Sequence, residues 1–235
     1  MHQERSGIGM GRIVKIAAVS GWLAVILGLA IVGLATVATA QQPYDQQAYD
    51  HRNEIGGLIG RVFISDEGVK GTTLSDPNIH FGEGLSIDAT YGLLLTSRDK
   101  FALTAELPFV YDHKTELYFG VNLVPASYSS FFVTPAARIN IFPKFWLSPW
   151  ASVGGGLAHF GESSELIFGG PNPGQQGTTT SALELGVGAD VKVSSRFTVR
   201  GEVRDFYTGI PDLNVGYGKS RQHNYFVGGG VVWHF

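Results

Sequence analysis

The sequence of 235 residues contains no cysteine, and Asp, Glu, Lys and Arg make up only 16% of it. Without cysteine there is no disulfide framework, no thiolate metal site and no cysteine-anchored lipoprotein. Basic residues are too few for a nucleic-acid face. The formal net charge is −3; Arg5, Arg12 and Lys15 against Glu4 give residues 1–40 a charge of +2, which leaves −5 for the rest. His80, His113, His159, His223 and His234 are scattered, with no metal-ligand spacing among them. No cofactor motif is found either: the glycine clusters GVGAD and VGGG are not followed by a helix, as a phosphate loop requires. What is abundant is glycine, at 32 residues, and apolar side chains, at 44%, so the chain is not disordered.

Residues 1–40 have their own texture. A polar, basic-ended head, MHQERSGIGMGRIVK, precedes the uncharged apolar run from Ile16 to Val37. Ala38–Thr39–Ala40 then places small residues ahead of Gln41, the layout of a secretory signal peptide cleaved after Ala40. Met10 is an alternative start. The apolar run is also long enough to span a bilayer as an uncleaved anchor. Under either reading the remainder leaves the cytoplasm. Residues 41–53 form a polar tail, and 54–235 the body.

In the body, apolar residues recur at every second position, the mark of strands with one apolar face. The segments are Glu54–Ser65, Phe81–Thr96, Lys100–Asp112, Tyr128–Phe142, Trp146–Phe160, Ser181–Val193, Arg196–Thr208 and His223–Phe235. The sixth is the clearest: Leu183, Leu185, Val187, Ala189 and Val191 alternate with Glu184, Gly186, Gly188, Asp190 and Lys192. In the first, Arg61 is assigned to the polar face. Pro135 and Pro149 fall inside strands, where a missing N–H calls for a bulge. Connections alternate between short (97–99, 143–145, 194–195) and long (66–80, 113–127, 161–180, 209–222). Transmembrane barrels show this alternation, with short periplasmic turns and long outer loops. The predicted fold is therefore all-β: an eight-stranded antiparallel up-and-down transmembrane β-barrel.

A soluble lipocalin-like barrel would place the apolar face inside instead. Three features favour apolar-out. The polar face consists of Gly, Ser, Thr and Ala with isolated charges, and Lys192 is the only lysine well inside a strand. Aromatics gather near strand ends, at Tyr91, Phe101, Phe109, Tyr111, Phe145, Trp146, Phe197, Tyr225 and Trp233, as in the girdles of membrane barrels. Finally, Tyr225, Val227, Gly229, Val231, Trp233 and Phe235 alternate to the last residue. This ending resembles the terminal strand of bacterial outer-membrane proteins, and Glu54–Phe235 as a whole resembles the small OmpA-like and OmpX-like barrels. The resemblance implies that Phe235, beside Trp233, is an assembly signal read by the barrel-assembly machinery. It also implies an outer-membrane location, with lipid around the barrel and long loops free to meet an extracellular ligand. The peptidoglycan-binding domain of the larger relatives has no counterpart here.

The candidate site is the inward polar set: Asp88, Glu106, Arg138, Glu184, Asp190, Lys192, Arg200, Glu202 and Arg204. Unpaired charges in a narrow barrel are costly, so the arginines are expected to pair with Glu106, Glu184 and Glu202. Eight strands enclose only enough room for side chains. The expected role is therefore a structural or surface-interaction barrel with a plugged lumen and no enzymatic activity. A small-solute channel and a lipid A-modifying enzyme are the alternatives. For the enzyme, His159 with Glu162, Ser163 and Ser164 is the nearest catalytic grouping, at a strand-to-loop boundary. The Gly/Pro-rich segment 161–180 reads as a mobile surface connection.

Overall fold

The computed structural model describes residues 51–216 and 218–235. The signal segment 1–40 and most of the tail 41–53 lie outside the described residues. The strands are β1 (Asn53–Ile64), β2 (Glu67–Gly68), β3 (Asn78–Phe81), β4 (Ser86–Ser97), β5 (Phe101–Tyr118), β6 (Ser127–Val133), β7 (Ala136–Ile141), β8 (Leu147–Glu162), β9 (Thr178–Lys192), β10 (Phe197–Gly209) and β11 (Arg221–His234). Strands β6 and β7 are two parts of one stave, each paired with β5 on one side and β8 on the other. Eight antiparallel staves result. The first and last close the ring through the β1–β11 ladder, from Glu54↔His234 to Ile64↔Asn224. The closure ends in a reciprocal pair: Asn53 N–H donates to the Phe235 carbonyl at 3.0 Å, and Phe235 N–H to the Asn53 carbonyl at 2.9 Å. Closure leaves none of the eight staves as an edge strand, which is what a sheet needs to cross lipid. No helix among the described residues is long and apolar enough to cross a membrane.

Alternation decides which side chains go where. Outward stand Ile55 and Ile59 of β1, Ile87 and Leu93 of β4, Ile139 of β7, Val153 and Leu157 of β8, and Leu183, Leu185 and Val187 of β9, all well exposed. Inward stand the charges and small polar residues. This is the inverse of a soluble barrel, whose water-facing surface would carry the charge. Arg61 is a correction to the expected pattern. It faces outward and pairs with Glu83 at 2.9 Å, while Leu58 and Val62 are the buried side chains of β1. The glycines at 56, 57 and 60 had blurred the period there.

The prolines behave differently from the bulges expected of them. At Thr134–Pro135 the ladder opens, yet Glu106↔Ala136 and Phe109↔Val133 keep the same register on either side. The result is a gap in pairing without an extra residue. Pro108 of β5 stands opposite Thr134: its carbonyl accepts the Thr134 N–H at 3.5 Å and it has none to return, while Pro135 accepts from the Gly155 N–H at 3.2 Å on the β8 side and likewise returns none. Pro149 pairs with Ala189 without a shift in register. The β7–β8 ladder has already ended at Asn140↔Trp150, so no partner on that side misses its N–H. Register shifts do occur elsewhere, between Leu94 and Thr96 and between Asp112 and Thr115.

The long connections are longer in strand than their sequence suggests. β5 runs to Tyr118, six residues past the expected end, and carries β3 at its tip through His80↔Tyr118 and Phe81↔Leu117. Segment 161–180 is tied down rather than loose. Ala126 N–H donates to the Glu165 carbonyl at 2.8 Å, and Ile167 N–H to that of Val124 at 3.2 Å. Asn214, at φ 65°, donates to both the Leu123 carbonyl and Asn172 Oδ1. Lys70 N–H donates to the Gly216 carbonyl at 2.9 Å. The four long connections thus form one lid.

Candidate functional site

The interior splits into two levels. Toward the short-turn end it is charged. Arg138 Nη2 meets Glu54 Oε1 at 2.7 Å, and its Nη1 lies 3.4 Å from Glu106 Oε2. Arg200 donates to both oxygens of Asp190, at 2.7 and 2.9 Å, and to Glu54 Oε1 at 3.2 Å. Arg204 grips Glu202 through two bonds of 2.7 and 3.1 Å, reaches Glu106 at 2.9 Å, contacts Glu184, and lies 3.5 Å from Asp88. A bidentate fork fits a guanidinium and would not fit a lysine.

Eight of the nine inward polar residues singled out from the sequence belong to this cluster, and the distribution of partners differs from the expected one-to-one pairing. Arg204 contacts Glu106, Glu184 and Glu202 together, and Glu106 is shared with Arg138. Lys192 stands at the rim, where its ammonium donates to the Pro143 carbonyl at 2.5 Å. Glu54 was missed. It is the first inward residue of β1, and it bridges Arg138 and Arg200. Its signal was its parity with Gly56 and Leu58, hidden because it sits at a strand end.

Trp150 lies at the centre. Its ring is 5.6, 5.4 and 5.3 Å from the guanidinium carbons of Arg138, Arg200 and Arg204, and its Nε1–H donates to Asp190 at 3.2 Å. Each arginine thus has an aromatic face as well as carboxylates. The ring fits because its cross-strand partner is Gly188, where an added Cβ would stand 2.5 Å from it. The GVGAD glycines are therefore room for Trp150. Smaller groups complete the carboxylates: Ser152 and Thr134 donate to Glu184, Asn140 to Asp190, and Thr90 to Asp88. Below the cluster a recess of about 40 Å³ opens between Arg138, Asp190, Lys192, Thr198 and His234, room for little more than water.

Toward the long-connection end the interior is mainly apolar and aromatic, with a few buried polar groups bonded to one another, Ser86 and Thr115 to Asp112 and Asn224 to Thr208. Phe132 and Phe206 stack with centroids 4.5 Å apart, and Phe160 meets Phe132 and Tyr128 edge-on at 6.2 and 5.7 Å. Val62, Val110, Ala158, Ala182 and Phe226 fill the space between, and Ile79, Leu117, Phe119, Val124 and Leu213 come down onto them from the lid. Gly60 and Gly228 leave room for the Phe226 ring, which an added Cβ would approach to 2.7 and 2.5 Å. This level is a correction to the sequence reading, which expects a polar inward face throughout.

The catalytic grouping is not assembled. His159 Nδ1 is bound to Thr179 Oγ1 at 2.8 Å, with its ring against Phe131. Glu162 accepts from Thr178, and Ser163 Oγ accepts from the Glu165 N–H in a local turn. Among the described residues no group of three or more acidic or histidine side chains could hold a metal. The last residues lie outward: Trp233 and Phe235 are about 40% exposed, their rings 4.8 Å apart.

No model of a protein family matches the sequence, and no curated protein does. Solved structures do match. Neisserial surface protein A, from Neisseria, is 13% identical with a TM-score of 0.50, over 78% of this chain and 97% of that one. The N-terminal β-barrel domain of Pseudomonas aeruginosa OprF is 14% identical with a TM-score of 0.45, over 79% of this chain and 98% of that one. The outer membrane enzyme PagL is 13% identical with a TM-score of 0.38, over 75% and 97%. The chain has the fold of the small eight-stranded outer-membrane barrels, of OmpA-like and OmpX-like type.

Proposed function

We propose that this protein is a non-conducting, non-enzymatic barrel of the outer membrane, exported with residues 1–40 removed. Its interior is filled, and its knitted outer lid is the surface offered to an extracellular ligand. The observation that carries this reading is the double filling of the lumen. Three guanidiniums and six carboxylates are bound to one another at one level. Buried aromatics and lid side chains occupy the next. A continuous water path would have to break both. Paired charges in the interior support a structural role, since unpaired ones cost several kcal/mol each. The outward belt takes membrane lipid as its partner. Trp233 and Phe235 on the last strand are the segment offered to the barrel-assembly machinery.

Planar-bilayer recording of the purified chain tests the reading, beside gels run with and without boiling. The expected result is a faster-migrating unboiled band and no steady current. Stable large channels would sink the filled lumen. Identical migration would sink the barrel in solution.

A further inference from the structure

On the outward faces of β9, β10 and β11 the side chains change from apolar to polar toward the long-connection rim. On β9 the change falls between Leu183 and Ser181, on β10 between Val203 and Asp205, and on β11 between Val227 and the run Tyr225, His223, Arg221. Leu183, Tyr207 and His223 stand in one cross-strand row. Phe197, near the opposite rim, is ten residues from Tyr207 along β10. At about 3.3 Å per residue and a tilt of about 40°, that separation spans roughly 25 Å, the height of a lipid-facing band. The polar rung therefore lies at headgroup depth.

Its chemistry is built rather than incidental. Arg221 lies over the Tyr207 ring at 5.8 Å, with Nη1 3.2 Å from Ser181 Oγ. The His223 ring is held between Tyr207 at 4.7 Å and Tyr225 at 5.7 Å, and its Nδ1 is bound to Asp205 at 2.8 Å. With Nδ1 committed, Nε2 remains for another partner. Directly beside them a groove of about 240 Å³ runs along Leu183 and Leu185. The other outward cations on the barrel wall have carboxylates: Arg61 has Glu83 and Lys114 has Glu116. Among the described residues, no carboxylate is within ion-pair distance of Arg221. A guanidinium at an interface, with hydroxyl and imidazole neighbours and an apolar groove below, fits an anionic oxygen cluster carrying a hydrocarbon chain.

We propose that Arg221, His223 and Ser181 form a binding site for the phosphate of an outer-leaflet lipid, one acyl chain of which lies along Leu183 and Leu185. The proposal rests on the membrane-barrel reading. Arg221 donates to phosphate oxygens, and His223 Nε2 stands beside them. Asp205 holds the ring, as an acceptor of Nδ1–H.

Native mass spectrometry of the full chain in detergent tests it, with three probes: phosphatidic acid, diacylglycerol with the same chains, and inorganic phosphate. Arg221→Ala is expected to weaken phosphatidic acid retention about tenfold, the scale of one charge-assisted hydrogen bond. Lys114→Ala, which removes an equal charge elsewhere on the wall, is expected to retain it as the unaltered chain does. Diacylglycerol should be held weakly and equally by all three proteins. Equal retention of phosphatidic acid by Arg221→Ala would overturn the site. So would diacylglycerol held as tightly as phosphatidic acid, since the groove alone would then do the binding. Displacement of the lipid by millimolar phosphate would instead make this a site for the free ion, and overturn the lipid assignment. Should Arg221→Ala fail to fold, Arg221→Gln carries the same expectation. Boiled and unboiled gels of the unaltered chain report separately on the barrel, so its failure is distinguishable from failure of the site.

Discussion

Along β10, Arg200, Glu202 and Arg204 face the barrel axis, and Phe206 faces it two residues further on. The two levels fill the same cross-section by different physics. The charged level depends on direction: each guanidinium must meet its oxygens at hydrogen-bonding distance, because burial has removed water as a partner. The aromatic level depends on volume, and stacked rings tolerate small shifts in angle. Both rely on glycine beside the ring, Gly188 on the neighbouring strand for Trp150 and Gly228 on the same strand for Phe226. The charged level should therefore be brittle to any change of chemistry, and the aromatic level sensitive mainly to loss of bulk.

The strongest way to break that contrast is at Arg204, which serves Glu106, Glu184, Glu202 and Asp88 together. Arg204→Ala should destabilise the barrel by about 5 kcal/mol, the upper range for breaking a buried charge network, in urea unfolding from micelles. Arg204→Lys should recover only part of this, because an ammonium cannot form the fork to Glu202. Full recovery by lysine would remove directionality from the account. Phe206→Ala should come next, at about 4 kcal/mol, for the lost ring and the cavity left against Phe132. Phe206→Leu should cost less than about 1.5 kcal/mol. If the leucine variant unfolds as readily as the alanine one, the aromatic level is as exacting as the charged one. Arg138→Ala leaves Glu54 with Arg200 and Glu106 with Arg204, so its expected cost is smaller, roughly 3 kcal/mol. It should shift the urea midpoint without opening a conductance; a channel with unchanged stability would reverse both halves of that expectation.

The smallest effect lies in the lid. His80 is held by Asp76 at 2.9 Å and Asp66 at 2.8 Å. The hydrogen bond to Asp76 chiefly raises its pKa above the ordinary 6.5, with burial opposing. The contribution is complete below 6.5 and is lost as pH rises through the raised value. Proteolytic nicking within 66–80 should quicken modestly between about pH 6 and pH 8.5, and His80→Asn should abolish the pH dependence. A rate that is flat across that range in the unaltered chain would exclude the latch.

Staves, their order and their outward face were legible because period-two alternation over ten or more residues leaves little choice of register. The charged level was legible for the same reason: isolated charges on a small-residue face stand out. The aromatic level was hidden by doublets. Phe131–Phe132, Phe206–Tyr207 and Tyr225–Phe226 put an aromatic on both faces at once, which erases the alternation. Counting in twos from Arg204 would have reached Phe206, and from Thr134 would have reached Phe132. The partners of each arginine were not legible, since Glu54 and Arg138 are separated by 84 residues and meet only across the closed lumen. The lid's knitting depends on backbone bonds between distant loops, which no local pattern records.

The double hydrogen bond between Asn53 and Phe235 makes the barrel a ring in which these two residues lie side by side. A short linker could join them, and new ends could be cut in any outer connection without removing a ladder. Such a circular permutant would keep every inward contact while burying Phe235 in mid-chain. It would thereby separate the sealing of the wall from the assembly signal proposed for Phe235 and Trp233. A permutant that reaches the outer membrane would show that the seal suffices. One that folds in micelles but never arrives there would support the assembly signal proposed for the last strand.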